Sequence, residues 1–290
     1  MRADGSLAAA RAAARAADPP GRIGRMPASA LPPGSPERTT GSPAAAWPAG
    51  PAGAAASAGT AGAAQAQPAS PAERAAGLVV GVLGGTGDQG RGLAVRLALA
   101  GNAVIIGSRD TGRAESAAAS LRLPHLVTGR SNADAASAAD VVIAAVPWEG
   151  HGTLLASLAE QLAGKIVIDC VNPIGFDQRG AYPLPVAQGS AAQQAADLLP
   201  GSTVVGAFHH VSAVLLLDPG VASIDLDVLV LGDDRAATDL VQALAERIPG
   251  VRGVYAGRLR NCGQVEAITA NLVSINRRYK AHAGLRITDI

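Results

Sequence analysis

The sequence predicts an α/β fold in which helices cover both faces of a mainly parallel sheet. From residue 78 onward, short aliphatic runs alternate with Ala-rich segments of helical length, which is the pattern of repeated βαβ units. The runs are almost continuously apolar, as expected for strands that are buried on both faces. Since the 290 residues include only 2 Phe, 2 Trp and 3 Tyr, the core of such a sheet has to be aliphatic.

The first 76 residues are expected to stay outside this fold. They contain 11 of the 19 prolines and no Val, Phe or Tyr, and their apolar residues are mostly Ala. Such a composition buries too little surface to offset the loss of chain entropy, so we expect a disordered tail. Its acid-poor start, which contains Ala and Arg, leaves a targeting peptide as the alternative.

The folded part is predicted to open with a βαβ unit. Leu78 to Leu83 is an apolar run that ends in a glycine-rich loop, residues 84–90. The following stretch, 91–100, is rich in Leu, Ala and Arg and stops at Gly101-Asn102, as a helix end should. The run 104–106 then supplies the second strand, which completes the unit.

The alternation of strands and helices continues to the C-terminus. Asp110 is expected to cap one helix and Asp233-Asp234 another. Further strands are predicted at 140–146, 165–171, 203–208, 227–231 and 253–256, and further helices at 235–247 and 261–282. In the last helix an apolar seam recurs at steps of three and four residues and should be buried, either against its own sheet or against a second subunit; it consists of Val265, Ile268, Leu272, Ile275 and Tyr279.

The glycine loop carries the first chemical signal. Gly85, Gly87 and Gly90 match the G-x-G-x-x-G fingerprint, in which the glycines allow a tight turn, a close approach of the backbone to a pyrophosphate, and packing of helix on strand. The triplet alone is weak and could be a mere tight turn, but here it lies between a strand and a helix. We therefore expect a dinucleotide, with the amides of Asp88 and Gln89 facing its phosphates and the Asp88 side chain facing solvent.

The end of the second strand indicates which dinucleotide binds. An NAD site places an acid there to hold the ribose 2′-hydroxyl, whereas this chain has Ser108-Arg109. Arg109 and Arg113 can pair with the 2′-phosphate of NADP, and Ser108 can hydrogen-bond to it. Two such contacts, at about 1.5 to 3 kcal/mol each, would favour NADP by about 100-fold or more. The alternative is that both arginines are solvated surface charges.

Other strand ends carry residues suited to ligand contact, because the crevice of an open α/β sheet lies beyond the carboxyl ends of its strands. Val146, Pro147 and Trp148 follow one strand, and Trp148 either lines the crevice or fills a loop. Asn172 either binds ligand or caps the turn before Pro173. Of the adjacent His209 and His210, only one is expected to face the crevice unless the strand has already ended, since neighbouring strand residues point to opposite faces. Cys170 is expected to be a packed thiol.

Several classes of protein are excluded by the same sequence. The chain after residue 76 is close to neutral, so it has no electrostatic footprint for nucleic acid. No run of 18 apolar residues is present, so no membrane span is expected. Neither the histidines nor the two cysteines, Cys170 and Cys262, have the spacing of metal ligands. We expect both cysteines to be reduced, as in a cytoplasmic protein.

Taken together, these segments resemble the NADPH-dependent reductases of the 8-hydroxy-5-deazaflavin coenzyme F420. The similarity runs from about Leu78 to the C-terminus, and residues 261–289 are similar to the actinobacterial branch; the segments that carry it are 83–87, 107–109, 146–149 and 208–213. The resemblance implies reversible hydride transfer between NADP(H) and F420. It places Thr86, Ser108, Arg109 and Arg113 at the 2′-phosphate, and His209 and Val211 beside the deazaflavin.

The resemblance also implies a homodimer and a division of labour along the chain. Residues 77–211 are expected to form the NADP-binding Rossmann domain, and 212–290 a smaller part that completes the deazaflavin site and the dimer interface. Two departures from the family are the N-terminal tail and His210, which replaces a small hydroxyl residue of the archaeal members. Two other functions remain open: an NADPH-dependent imine or β-hydroxy acid reductase, and an NADP(H)-binding redox sensor without catalysis.

Overall fold

The computed structural model describes residues 69–290. Their helices are α1 (Pro71–Gly77), α2 (Asp88–Leu99), α3 (Thr111–Ser120), α4 (Asn132–Ala138), α5 (Trp148–Ser157), α6 (Ala159–Leu162), α7 (Ala191–Leu198), α8 (Ala213–Leu217), α9 (Arg235–Ala245) and α10 (Cys262–Tyr279). Their strands are β1 (Val79–Leu83), β2 (Ala103–Ser108), β3 (Val127–Ser131), β4 (Val141–Ala144), β5 (Ile166–Asp169), β6 (Ile174–Asp177), β7 (Gly180–Pro183), β8 (Thr203–Gly206), β9 (Leu226–Gly232) and β10 (Val251–Gly257).

Eight of these strands form one twisted sheet in the order β10-β9-β8-β5-β4-β1-β2-β3. Neighbouring strands are parallel except at β8–β9. Because β1 lies between β2 and β4, the strand order reverses there, and a crevice opens beyond the carboxyl ends of β1 and β4. The predicted fold class, a doubly wound and mainly parallel Rossmann sheet, is confirmed.

The core lies on both faces of the sheet and is aliphatic, as the composition requires. In β1, Val80 and Val82 point to the face that α2 and α9 cover, while Leu83 points to the face that α5 and α7 cover. Apart from Phe208, the largest fully buried side chains are all Leu or Ile. Burial of this kind stabilises by about 25 cal/mol per Å² of apolar surface removed from water.

The folded part begins earlier than the sequence predicts. Helix α1 starts with a capping box, in which Ser70 Oγ accepts from the Glu73 amide and the Glu73 carboxylate accepts from the Ser70 amide. Ala75 is fully buried, and Asn102 donates to its carbonyl oxygen at 2.8 Å. The expectation of disorder up to residue 76 is therefore wrong for α1, and its remainder up to residue 68 lies outside the described residues.

The structure also contains strands that the sequence pattern did not indicate. β3 carries polar residues at alternate positions, and Gly129 within it lies so close to α3 that a Cβ there would come 2.2 Å from the backbone of Ala114. β6 and β7 form a separate antiparallel hairpin with little burial. Edge strands and hairpins of this kind have no long apolar run, so periodicity alone misses them.

The last helix is only half buried. Val265 and Leu272 of the predicted seam are buried, but Ile275 is 40% exposed and Tyr279 is 73% exposed. Packing within this chain therefore buries only the N-terminal half of the predicted seam. Among the helices that the structure describes, none is long and apolar enough to cross a bilayer.

Candidate active site

A cavity of about 1200 Å³ lies beyond the carboxyl ends of β1, β2, β4, β5 and β8. Its volume exceeds the roughly 300 to 1000 Å³ of a pocket for one drug-sized ligand. Gly85 is buried behind the loop; every other residue predicted to contact a ligand lies on the wall, namely Thr86, Gly87, Asp88, Gln89, Gly90, Ser108, Arg109, Arg113, Val146, Pro147, Trp148, Asn172, His209 and Val211.

The glycine loop fits a pyrophosphate for local steric reasons. Gly85 and Gly90 press against each other, since a Cβ on Gly90 would lie 2.6 Å from Gly85 Cα. A Cβ on Gly87, by contrast, would meet nothing closer than 3.8 Å within the protein. The fold therefore requires glycine at 85 and 90, whereas position 87 leaves free space beside the first turn of α2, where anions are favoured.

Side chains at the start of α2 leave that approach clear. No side chain caps the helix at Gly87. The Asp88 carboxylate is 72% exposed and pairs with Arg91 at 2.8 Å, so the side chain is in contact with solvent, as expected. Gln89 donates from Nε2 to the carbonyl oxygen of Phe208 at 3.2 Å, and so ties the glycine loop to the end of β8.

The end of β2 presents two free guanidinium groups. Ser108 is buried, and its Oγ accepts from the Asp110 amide at 3.3 Å. Asp110 caps α3 by accepting from the amide of Arg113, as predicted. Arg109 and Arg113 both line the cavity, and neither forms an ion pair with any other described residue. The wall next to β2 is therefore basic and able to bind an added phosphate.

Asn132, at the start of α4, is a site residue that the sequence analysis missed. It is 6% exposed and lines the cavity, and its Oδ1 accepts from the Gly84 amide at 3.3 Å. A Cβ on Gly107 would lie 2.8 Å from the same oxygen. Asn132 thus fixes the start of the glycine loop against the end of β2. No sequence signal marks it, because it follows the unpredicted strand β3.

The structure separates His209 from His210, as predicted, but β8 ends at Gly206 and both histidines lie in the turn that follows it, so the alternation of strand residues is not the cause. His209 is 3% exposed and lines the cavity, and neither of its ring nitrogens has a hydrogen-bond partner among the described residues. His210 points toward β9, where its Nε2 accepts from the Leu229 amide at 3.4 Å. Burial lowers the pKa of each imidazole to about 4, so both are neutral near pH 7.

The backbone before His209 is strained. Phe208 is fully buried and adopts φ of 63°, a left-handed conformation that non-glycine residues rarely take. Such strain costs about 1 to 3 kcal/mol and is concentrated at functional sites. Here it turns the chain at the end of β8 so that His209 and Val211 reach the cavity wall.

Asn172 neither caps its own turn nor has an unused side chain. Its Nδ2 donates to the carbonyl oxygen of His209 at 2.8 Å, and its Oδ1 accepts from Thr269 Oγ1 at 3.3 Å. Thr269 belongs to α10 and also lines the cavity. Asn172 therefore joins the ends of β5 and β8 to the last helix, a set of contacts that no local sequence pattern indicates.

The cysteines are placed as predicted. Cys170 and Cys262 are free and buried. Cys170 Sγ donates to the carbonyl oxygen of Ala144 at 3.1 Å, and burial raises the pKa of its thiol. A thiol of this kind is unreactive. The described residues contain no cluster of His, Cys, Asp or Glu suited to a metal ion.

A family model and several relatives that match over nearly their full length indicate the same family. The family described as NADP oxidoreductase, coenzyme F420-dependent, matches residues 79–173. An F420-dependent NADP reductase of Methanothermobacter marburgensis is 43% identical over 221 residues, which cover 73% of this chain and 98% of that protein. The corresponding protein of Methanocaldococcus jannaschii is 38% identical over the same shares.

A solved structure gives the same result for the fold. The crystal structure of a candidate F420-dependent NADP reductase from Arthrobacter sp. FB24 superposes with a TM-score of 0.64 at 30% sequence identity. The match covers 73% of this chain and the whole of that chain. The part of the chain that matches therefore corresponds to a complete relative.

Proposed function

The chain belongs to the family of F420-dependent NADP reductases, and from this membership and the geometry of the cavity we propose which of its residues carry the reaction. The resemblance that the motifs indicated is confirmed. The chain is accordingly an oxidoreductase that acts on NADP and coenzyme F420. The two alternatives, an imine or β-hydroxy acid reductase and a redox sensor, are not favoured by these relatives.

The glycine loop and the end of β2 bind the nucleotide. The amides at the start of α2 face the pyrophosphate across the free space beside Gly87. Thr86 lies on the same wall, and Ser108, Arg109 and Arg113 surround the 2′-phosphate. An exposed pair of arginines without a carboxylate partner in the described part of the chain is the observation that most favours NADP over NAD.

The opposite wall receives the deazaflavin. His209 lines the cavity, and both of its ring nitrogens are buried without a partner among the described residues; a polar group of a ligand that reaches them would offset the cost of about 1 to 3 kcal/mol for leaving them unsatisfied. Val211 supplies an apolar surface next to it. Asn172 and Thr269 hold the His209 carbonyl and act as positioning residues.

Hydride passes between the nicotinamide and the deazaflavin when both are bound. The hydride step itself moves no proton, and the one proton that the reduced deazaflavin takes up comes from solvent, which fits a wall whose histidine is neutral. Its contribution is to hold the two rings at reacting distance and exclude water, and such positioning can lower a barrier by about 7 to 11 kcal/mol. Val146, Pro147 and Trp148 complete the wall between the two halves.

Absorbance of the deazaflavin tests this function directly. Oxidised F420 mixed with NADPH and the purified protein should lose its absorbance, and NADP added to reduced F420 should restore it. NADH serves as the control donor, with much slower bleaching expected. Absence of bleaching with NADPH, in a sample that binds NADPH, contradicts the proposed acceptor.

We further propose a homodimer that forms through the exposed end of α10 and the adjoining β6–β7 hairpin. Phe176 and Tyr182 on the hairpin and Ile275 and Tyr279 on α10 are large, apolar and exposed, and α10 packs against β7. Ile275→Asp should convert the dimer to a monomer in light scattering; an unchanged mass contradicts this interface. The buried free thiols favour a cytoplasmic location, and the division at residue 211 stays a functional prediction.

A further inference from the structure

A buried ion pair lies behind the cavity and is not explained by the assignments above. Nε2 of His151 lies 2.6 Å from Oδ2 of Asp169, and both side chains are fully buried. In every other ion pair among the described residues, at least one of the two side chains is 35% or more exposed. Neither His151 nor Asp169 lines the cavity, so neither touches a substrate.

The surroundings of His151 favour its charged form. Nδ1 lies 3.1 Å from the side-chain oxygen of Gln194 on α7, so each ring nitrogen faces an oxygen atom to which the protonated ring donates. Burial disfavours the imidazolium, but Asp169 of β5, Gln194 and the more distant Glu266 of α10 outweigh it, and the pKa of His151 is raised. These are the charged and polar groups that face the ring from the elements packed on it.

Stability alone does not explain an ion pair in this position, because well-packed apolar residues often stabilise a core equally well or better. Asp169 is the last residue of β5, and its Oδ1 accepts from the Val171 amide at 3.0 Å, so the carboxylate fixes the turn 170–172 on the cavity wall. His151 lies one turn along α5 from Trp148, with ring centroids 5.6 Å apart and the planes at 30°.

We propose that His151 and Asp169 are positioning residues, whose ion pair locks the Trp148 ring and the turn 170–172 into the geometry that hydride transfer requires. The proposal rests on the function given above, since it concerns the alignment of the two substrates. The pair joins the wall built by α5 to the wall built by the end of β5. Through Asn172 the same turn reaches the His209 carbonyl.

Asp169→Asn tests the pair with almost no change in volume. The amide oxygen can still accept from Val171, but the amide nitrogen now donates to His151, which becomes neutral. The kcat for F420 reduction should fall, by up to about 100-fold if the rings shift by 1 Å. KM for NADPH should change much less, because the glycine loop and Arg109 are untouched.

Fluorescence of the free protein gives a readout that needs no substrate. A protonated imidazole quenches a neighbouring indole, and Trp47 and Trp148 are the two tryptophans of the chain, so Trp47→Phe leaves Trp148 as the only emitter. In that background Asp169→Asn should brighten Trp148 emission at pH 7. Without the Asp169 change, emission should rise only at a pH above the ordinary range of histidine.

Asp227→Asn is the matched control, since it too removes the charge of a buried carboxylate in an ion pair. Asp227 pairs with Arg252, and this pair lies away from the cavity wall. The variant should lower the melting temperature while kcat and Trp148 emission stay at the wild-type level. If Asp169→Asn does not fold, His151→Gln replaces it. Gln can still donate to Asp169, which should preserve the fold, but it removes the imidazolium, so the same fall in kcat and the same rise in Trp148 emission are expected.

The results separate the possible failures. Unchanged emission in Asp169→Asn, or a kcat loss as large in Asp227→Asn, overturns the positioning role. A wild-type protein that does not bleach F420 contradicts the proposed function instead, while the emission measurements still test the ion pair.

Discussion

The two walls of the cavity are built in different ways. The wall proposed for the nucleotide, called the nucleotide wall below, comes from one continuous segment, in which β1, the glycine loop, α2 and β2 follow each other in the chain. The wall proposed for the deazaflavin, called the deazaflavin wall, is assembled from the ends of β5 and β8 and from α10, so that Asn172, His209 and Thr269 meet although up to 97 residues separate them.

This difference determines how each wall binds. The nucleotide wall offers backbone amides and exposed arginines, which are available without any rearrangement. The deazaflavin wall offers buried polar groups held by a network, in which Asn172 fixes a carbonyl and the imidazole of His209 remains unsatisfied. We therefore expect changes in the first to alter affinity and changes in the second to alter the rate of the chemical step.

Arg109→Ala should produce the largest effect and act on affinity alone. The loss of one hydrogen-bonded ion pair with the 2′-phosphate costs about 1.5 to 3 kcal/mol, so KM for NADPH should rise by about 10-fold to 100-fold. The kcat should stay near the wild-type value, and KM for NADH should not change. Steady-state kinetics with both donors measure these quantities.

Arg235→Ala is the matched control for that experiment. Arg235 is 94% exposed on α9 and does not line the cavity, so its removal should leave both KM values unchanged. If Arg109→Ala raises KM for NADPH and KM for NADH equally, Arg109 does not bind the 2′-phosphate, and the assignment is wrong.

The same contrast explains what the sequence could predict. The βαβ unit, the Asp110 cap and the positions of Ser108 and Arg109 all depend on residues that are close in the chain, and periodicity and motif spacing capture them. The contacts of Asn132, Asn172 and Thr269 depend on strand order and register, which a single sequence does not contain.

One wrong prediction and one alternative that the sequence leaves open have a similar physical origin. Helix α1 has the composition of the tail, and it is tertiary contact between Ala75 and Asn102 that holds it. The C-terminal half of α10 has the seam of a buried helix, yet Ile275 and Tyr279 are exposed. Periodicity predicts that a face is buried but does not say by which chain.

His209→Leu should separate rate from affinity on the deazaflavin wall. Leucine has no polar atoms to leave unsatisfied, so the free energy of unfolding should increase by about 1 kcal/mol, the lower end of the cost of such burial. The kcat should fall about 10-fold, the equivalent of one hydrogen bond, with KM for NADPH little changed. Thermal unfolding and saturation kinetics measure the two effects.

His210→Leu is its internal comparison, because His210 faces β9 and not the cavity. Its kcat should match the wild type. A kcat for His209→Leu that equals that of the wild type would show that the imidazole makes no contact in the reaction, and the affinity-versus-rate contrast would fail on this wall.

Glu266→Gln should have the smallest effect, one visible as a change of stability with pH. Glu266 anchors α10, and hence Thr269, to the start of α7 by accepting from the amides of Ala191 and Ala192. Burial raises the pKa of its carboxyl to about 7, although both amides and His151 act to lower it.

A carboxyl whose pKa is higher in the folded state than in the unfolded state makes the protein less stable as pH rises from the unfolded pKa, about 4.3, to the folded pKa. The free energy of unfolding of the wild type should therefore fall relative to Glu266→Gln between pH 5 and about pH 7, and the difference should level off above that. Urea unfolding of both proteins from pH 5 to about 8.5 measures it. For the control variant Glu160→Gln, on the exposed side of α6, the free energy of unfolding should run parallel to that of the wild type across this pH range. A parallel profile for Glu266→Gln as well would mean that the Glu266 carboxyl is ionised throughout and that the anchor of the deazaflavin wall does not respond to pH.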